Sequence, residues 1–190
     1  MSNFAKRPFK VTPELEEELE KAVGFTVIGD DVYNDTVIYN SVEQAFQDAK
    51  IAFAFDGTQN SIEDATATRI SESIRKASPA EAKRLGRTIP MSKLAVKNWD
   101  ENSSKVMKIL LKESFEQNPQ AAQRLLATGE AKLTHTQDKG KWGTEFPKLL
   151  MEVRKELREK HPEWIPSTAS LDDSKFDDDY MNFCKGINKY

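Results

Sequence analysis

Apolar positions recur along this chain at two spacings. Val42, Ala45, Phe46, Ala49 and Phe53 recur every three to four residues, which is the stripe of an α-helix with one buried face. Ser41 stands just ahead as an N-cap, and Gln44 follows three residues later to complete an S-x-x-Q capping box. The pattern predicts a helix from Ser41 to about Phe55. Beside its apolar stripe, Glu43, Gln47 and Lys50 fall at i, i+4 and i+7. Taken alone, this spacing favours a surface helix whose acid, amide and amine are solvated. The competing reading is a half-desolvated polar edge, where carboxylate and lysine pKa values shift into a useful range.

The rest of the pattern is mostly helical. Phe9 and Val11 alternate with Lys10 and Thr12 as in a short strand. Thr12-Pro13 opens an acidic helix to Val23, with Leu15 and Leu19 inward and Gly24 as its stop. Phe25–Ile28 and Thr36–Tyr39 read as strands. A helix is predicted over Ile62–Lys76. A second capping box, Ser78-Pro79-Ala80-Glu81, begins a short helix that should stop at Gly86 and leave Arg87 in the following turn. Asn98 or Asp100 is the expected cap of the longest helix, which runs to about Gln117 with Trp99 near its start. Asn118-Pro119 opens another, ending at Thr128-Gly129. Lys132–Thr136 alternates like a strand, residues 137–143 form a polar loop carrying Trp142, and Pro147 begins a last helix through Leu149, Leu150, Val153 and Leu157. The expectation is an α+β, mostly helical single domain with a few short strands, occupying residues 1–160. Residues 161–190 form a partly ordered C-terminal extension.

Composition narrows the function classes. Charged residues make up 31% of the 190, and mean hydropathy is −0.66. The longest apolar run, Ile51–Phe55, is far too short to span a bilayer, and the first residues hold no apolar signal core. A cytoplasmic setting without membrane partners is expected. The lone Cys184 rules out an internal disulfide framework. His135 and His161, with no clustered cysteines, argue against a structural zinc site, so no metal and no cofactor are expected. A net charge of −3 argues against a broad basic grip on nucleic acid, though not against a local basic pocket.

Several islands, kept in order, resemble one family. They are Ser2-Asn3-Phe4 with Pro8-Phe9; Ser41 through Lys50; Ala82 through Arg87; Trp99 with Met107, Lys112 and Phe115; Leu126, Thr128 and Leu133; and Trp142-Gly143 with Leu149-Leu150-Met151 and Val153-Arg154. Together they resemble the NADAR, or YbiA-like, family. The chain departs from that pattern in carrying His135 at a usual Glu and Lys139 at a frequent Asp, with Asp138 one residue further off. The loop after Trp142-Gly143 is shortened, and an acidic helical insertion occupies about residues 13–31.

The resemblance implies an N-glycosidase that cleaves a ribose–nitrogen bond. The expected substrate is ADP-ribosylated guanine in DNA, with release of the ADP-ribose mark laid down by toxin-type transferases, in a toxin–antitoxin or phage setting and hence a host cytoplasm. The alternatives are reactive intermediates of riboflavin synthesis as substrates, or a non-catalytic module that binds ADP-ribose. Such cleavage builds positive charge on the sugar and negative charge on the base, and so requires a carboxylate, a proton donor and a nucleophile. Glu43, Lys50 and Asp138 are the implied catalytic groups. Ser2, Asn3, Phe4, Gln47, Arg87, Trp99, His135, Trp142 and Arg154 are the implied substrate contacts. Each has a plainer alternative: a frayed terminus for Ser2–Phe4, a helix-end charge for Arg87, core packing for Trp99 and Trp142, a structural role for His135, a turn former for Asp138, and a salt bridge for Arg154.

Overall fold

The computed structural model describes residues 2–28, 36–54, 61–135 and 140–166, with backbone alone for 61–64. A two-stranded antiparallel sheet pairs β1 (Phe9–Lys10) with β2 (Ile38–Tyr39), Phe9 opposite Tyr39 and Lys10 opposite Ile38. The helices are α1 (Pro13–Val23), α2 (Val42–Ala54), α3 (Ser61–Lys76), α4 (Pro79–Thr88), α5 (Lys93–Glu116), α6 (Pro119–Ala127) and α7 (Lys141–Lys160), followed by a 3-10 turn at Pro162–Trp164. The α+β, mostly helical reading holds.

Helix α2 is the centre. Its residues from Val42 to Ala49 are all buried, because it lies between two apolar clusters. On one side Val42, Ala45, Phe46, Ala49 and Phe53 join the main core with α1, α5, α6 and α7. On the other, Ile51 meets Ile74 of α3, with Ala82 and Ile89 at α4. The surface-helix reading of α2 is therefore wrong: the second layer, α3 and α4, covers the face that periodicity left to solvent. Its polar residues are matched instead. Gln44 donates to the carbonyls of Arg75 (3.2 Å), Ile74 (3.5 Å) and Ala77 where α3 ends, and accepts from the Asn40 N–H at 2.8 Å. Asp48 accepts from the Tyr39 hydroxyl and from Arg75 Nε at 2.8 Å. That contact, with burial the larger cause, holds the Tyr39 phenol well above its ordinary pKa.

The sheet delivers the N-terminal segment to α2. Its hydrogen bonding continues on either side, from the Val11 N–H to Val37 O at 2.8 Å and from the Arg7 N–H to Asn40 O at 3.0 Å. The outer edge of β1 is bracketed by one side-chain amide. Gln117 accepts from the Lys10 N–H at 2.7 Å and donates to Lys10 O at 2.8 Å, as a neighbouring strand would. Helix α1 packs on α5 through Leu15 and Leu19, and Glu18 pairs with Lys112 at 2.6 Å.

Several expected boundaries change. Phe25–Ile28 and 132–135 are not strands. In the first, Phe25 turns its ring edge-on to Phe53 instead of alternating across a sheet. Helix α5 starts at Lys93, because Ser92 accepts from the Ala95 N–H and caps it, so Trp99 lies two turns inside. Helix α7 starts at Lys141 after Gly140, so Trp142 is helical and Pro147 is interior.

Gly86 is not a stop. Helix α4 continues through Gly86 and Arg87 to Thr88, and ends where Ile89 is held extended ahead of Pro90. The glycine serves close packing: a Cβ there would lie 1.8 Å from Gln47 Oε1 and 2.5 Å from its Cδ. Gly86→Ala gains about 1 kcal/mol of helix propensity but drives Gln47 off a hydrogen bond to a buried carboxylate, a loss of about 1.5–3 kcal/mol. The expected outcome is a less stable protein by urea denaturation, with the cost largely removed in a Gln47→Ala background. Additive effects of the two changes would contradict the contact.

Candidate functional site

A cleft opens between the N-terminal loop, α2, α4, α5 and the start of α7. It is lined by Asn3, Glu43, Phe46, Gln47, Lys83, Met107, Trp142 and Phe146, and the space between its walls, mouth included, is about 340 Å³.

Glu43 forms its floor. The residue is 2% exposed, and an ionised carboxylate at that depth costs several kcal/mol unless it is hydrogen-bonded. Both oxygens are met. Gln47, one helical turn on, donates to Oε1 at 2.8 Å, and the Asn3 side-chain amide donates to Oε2. The Asn3 backbone carbonyl also accepts from the Glu43 N–H at 3.0 Å. That N–H is one of the first-turn donors of α2 that have no partner within the helix; Ser41 Oγ takes another, from Gln44, at 3.3 Å. Asn3 thus grips the same residue by backbone and side chain.

The loop that places Asn3 is itself fastened. Ser2 Oγ accepts from the Phe4 N–H at 3.1 Å, and Ser2 O accepts from the Ala5 N–H and from Arg7. Arg7 is buried, its guanidinium 4.4 Å from the centre of the Phe115 ring, and that burial pushes its pKa down to about 10. This loop is not a frayed end, despite its place in the chain.

Lys50 continues the Glu43–Gln47 stripe but leaves the cleft lining. Its Nζ donates to Gly86 O at 2.8 Å. The ordinary i+4 partner of that carbonyl is missing, because residue 90 is proline and has no N–H. Half-burial lowers the Lys50 pKa, and the charge of Asp100 opposes the shift.

The remaining predicted residues divide. Trp142 lines the cleft and stands edge-on to Phe46, with centroids 5.3 Å apart. Phe4 flanks the cleft beneath the Lys83 ammonium, 5.2 Å from its ring centre. His135 sits 5.2 Å from Phe146, just behind the lining. Trp99 packs in the core between Phe46 and Phe53. Arg154 is buried away from the cleft, donating to Thr128 Oγ1 at 2.7 Å and Ala131 O at 2.9 Å. Arg87 is exposed on the last turn of α4, outside the lining. Asp138 lies outside the described residues. Among the described residues no cluster of His, Cys, Asp or Glu is arranged to hold a metal ion, and no helix is long and apolar enough to cross a membrane.

Lys83, Phe46, Met107 and Phe146 also line the cleft, although the sequence pattern marks Phe46 only as a core-stripe position and Met107 only as part of a family motif. The signal for Lys83 was present: Ala82 and Gly86, small residues at i and i+4, mark a face of α4 pressed against another helix, and Lys83 stands at its edge.

The NADAR domain family matches residues 1–158. The chain belongs to the NADAR family. Among curated relatives, it is similar to "N-glycosidase YbiA" of Escherichia coli (strain K12) and of Shigella boydii serotype 4 (strain Sb227), at 38% identity over 96 residues in each case. That alignment covers 45% of this chain and 59% of each relative, so the chain spans about three-fifths of their length. No solved structure matches it. The NADAR match takes in both the N-terminal loop and α2, the two elements that meet at Glu43.

The Lys50 environment sets a pH dependence. Between its lowered folded pKa and the ordinary value of 10.5 the unfolded chain binds more protons than the folded one. The stability of the wild type relative to Lys50→Met should therefore rise with pH across that window and be flat below it. Parallel stability–pH curves from chemical denaturation between pH 7 and 10.5 would show that Lys50 is not desolvated.

Proposed function

We propose that this NADAR protein is an N-glycosidase that removes ADP-ribose from modified guanine bases in DNA. The observation that carries the reading is the Glu43 carboxylate, held by two amide donors at the floor of a cleft, in a family whose relatives include proteins named N-glycosidase. Loss of the base nitrogen leaves positive charge shared between the anomeric carbon and the ring oxygen. A carboxylate fixed in a low-dielectric floor stabilises that charge without reorganising. Asn3 and Gln47 hold Glu43 in one orientation, which is what such electrostatic help requires.

Lys50 supplies the nucleophile in this reading, its amine leaving the Gly86 carbonyl to enter the cleft. Its lowered pKa raises the fraction of neutral amine near neutral pH. The amine nitrogen bonds to the anomeric carbon as the bond to guanine breaks, and the electron pair of that bond leaves with the base, which takes up a proton. Ring opening then gives a Schiff base, and water hydrolyses it to release ADP-ribose and restore the amine. Trp142 offers an aromatic face at the cleft wall. A cleft of this size suits one nucleotide unit and not a duplex, so the modified base enters flipped out. A net charge of −3 agrees with a protein that holds the modification and grips the duplex little.

Glu43→Gln and Lys50→Met, each verified as folded by circular dichroism, should lower the release of ADP-ribose from ADP-ribosylated DNA by about 10²–10⁴-fold. Borohydride should trap a covalent adduct in the wild type and not in Lys50→Met. Full activity in either variant would remove that residue from the mechanism. Turnover of riboflavin-pathway intermediates in place of modified DNA would replace the substrate, and tight ADP-ribose binding without turnover would make the protein a binding module.

A further inference from the structure

Trp142 lines the cleft from the second position of α7, where helices tend to fray. The first turn of a helix has four N–H groups without partners in the helix, and a side-chain cap usually meets one of them. Here the N-cap is Gly140, which has no side chain to offer. The turn closes through backbone, from the Gly143 N–H to Gly140 O at 3.1 Å. Lys141 then fastens it to α5. Its Nζ donates to Asp100 O at 2.7 Å and to Ser103 Oγ at 2.8 Å. Ser103 is buried, and its hydroxyl donates to the same Asp100 carbonyl at 3.5 Å, so its oxygen lone pairs face the ammonium. The ammonium also stands over the Trp142 ring, 5.5 Å from its centre, while Phe46 meets that indole at 88°. Helix α5 is joined to α2 in turn by Trp99 on Phe46, with centroids 4.7 Å apart. The indole is thus placed relative to Glu43 through α5 and α2, and not through a cap on its own helix.

We infer that Lys141 is a positioning residue that clasps α5 and thereby holds Trp142 in place to stack on a flat aromatic base in the cleft. The inference rests on the glycosidase reading for which part of the substrate meets this wall. Lys141 itself lies outside the lining and touches no reacting atom. Its contribution is preorganisation: a base that stacks on a mobile indole must also order it, and a base that meets a fixed one need not. A surface lysine keeps its side-chain freedom unless something holds it, and here two acceptors on a neighbouring helix and one aromatic ring hold it at once. The clasp therefore acts on binding of the base and only weakly on the chemistry at the sugar.

The test uses the full chain, with guanosine as the probe and isothermal titration calorimetry for its affinity. Trp142→Leu should weaken guanosine by about tenfold or more, the size of one base–aromatic stack. Lys141→Met should weaken it by about threefold to tenfold, and Lys141→Arg, which keeps a donor fork for the two acceptors, should stay within about twofold of wild type. In a Trp142→Leu background, Lys141→Met should cause no further loss, because the lysine acts through the indole. A readout without ligand comes from acrylamide quenching of tryptophan emission. The component that Trp142→Leu removes should be quenched more readily in Lys141→Met and return to the wild-type level in Lys141→Arg. Unchanged quenching and affinity in Lys141→Met, additive losses in the double variant, or no guanosine binding by wild type would each overturn the inference. On ADP-ribosylated DNA, Lys141→Met should raise KM by a similar threefold to tenfold and hold kcat within about twofold. A wild type that shows the binding and quenching pattern but cleaves no substrate removes the glycosidase reading and leaves the clasp. Cleavage with KM unchanged in Lys141→Met leaves the glycosidase and removes the clasp.

Discussion

A helix buried on all sides cannot carry polar side chains without partners, and α2 carries five in its first two and a half turns: Glu43, Gln44, Gln47, Asp48 and half-buried Lys50. Leaving any of them unmatched would cost about 1–3 kcal/mol, more for the charged ones. Their partners accordingly fix much of the architecture. The end of α3 is set by Gln44 and Asp48. The approach of α4 is set by Gln47 against Gly86 and by Lys50 on the Gly86 carbonyl. The N-terminal loop is set by Glu43. The apolar contacts bring these elements together, and the polar ones decide their register.

The two polar stripes of α2 differ in what they leave available. Gln44 and Asp48 face the closed side, where Tyr39, Arg75 and the α3 carbonyls surround them. Glu43 and Gln47 face the cleft. Adjacent positions on one helix thus divide into a structural clamp and a cleft wall, and the difference comes from the partner elements: α3 packs against one stripe, while a loop and the edge of α4 border the other.

Legibility followed the same division. The helix, its cap and the grouping of Glu43, Gln47 and Lys50 could be read from period and capping chemistry, since both are local. Burial of that grouping could not, because it depends on α3 and α4 returning to cover a face that a single helix would leave wet. Gly86 departs from its local pattern for a related reason. After a capped short helix glycine usually marks an end, and only the position of Gln47 shows that the missing side chain serves contact with another helix. Gly140 and Gly143 flank Trp142 and predict a loop there, yet α7 begins between them. Residues 2–4 show the converse: position in the chain alone favours fraying, yet the loop is held by Arg7, whose own anchor, Phe115, is far away in sequence.

Pro90 belongs to no wall of the cleft, yet it governs where Lys50 rests. By lacking an N–H it leaves the Gly86 carbonyl open to a donor from another helix, and Lys50 occupies it. The resting place of the amine is therefore written into how α4 terminates. A backbone that supplied its own donor at position 90 would compete with Lys50 for that oxygen and free the side chain to swing. The end of one helix thus acts as a tether for a half-buried amine of another, fixing its direction by a single hydrogen bond.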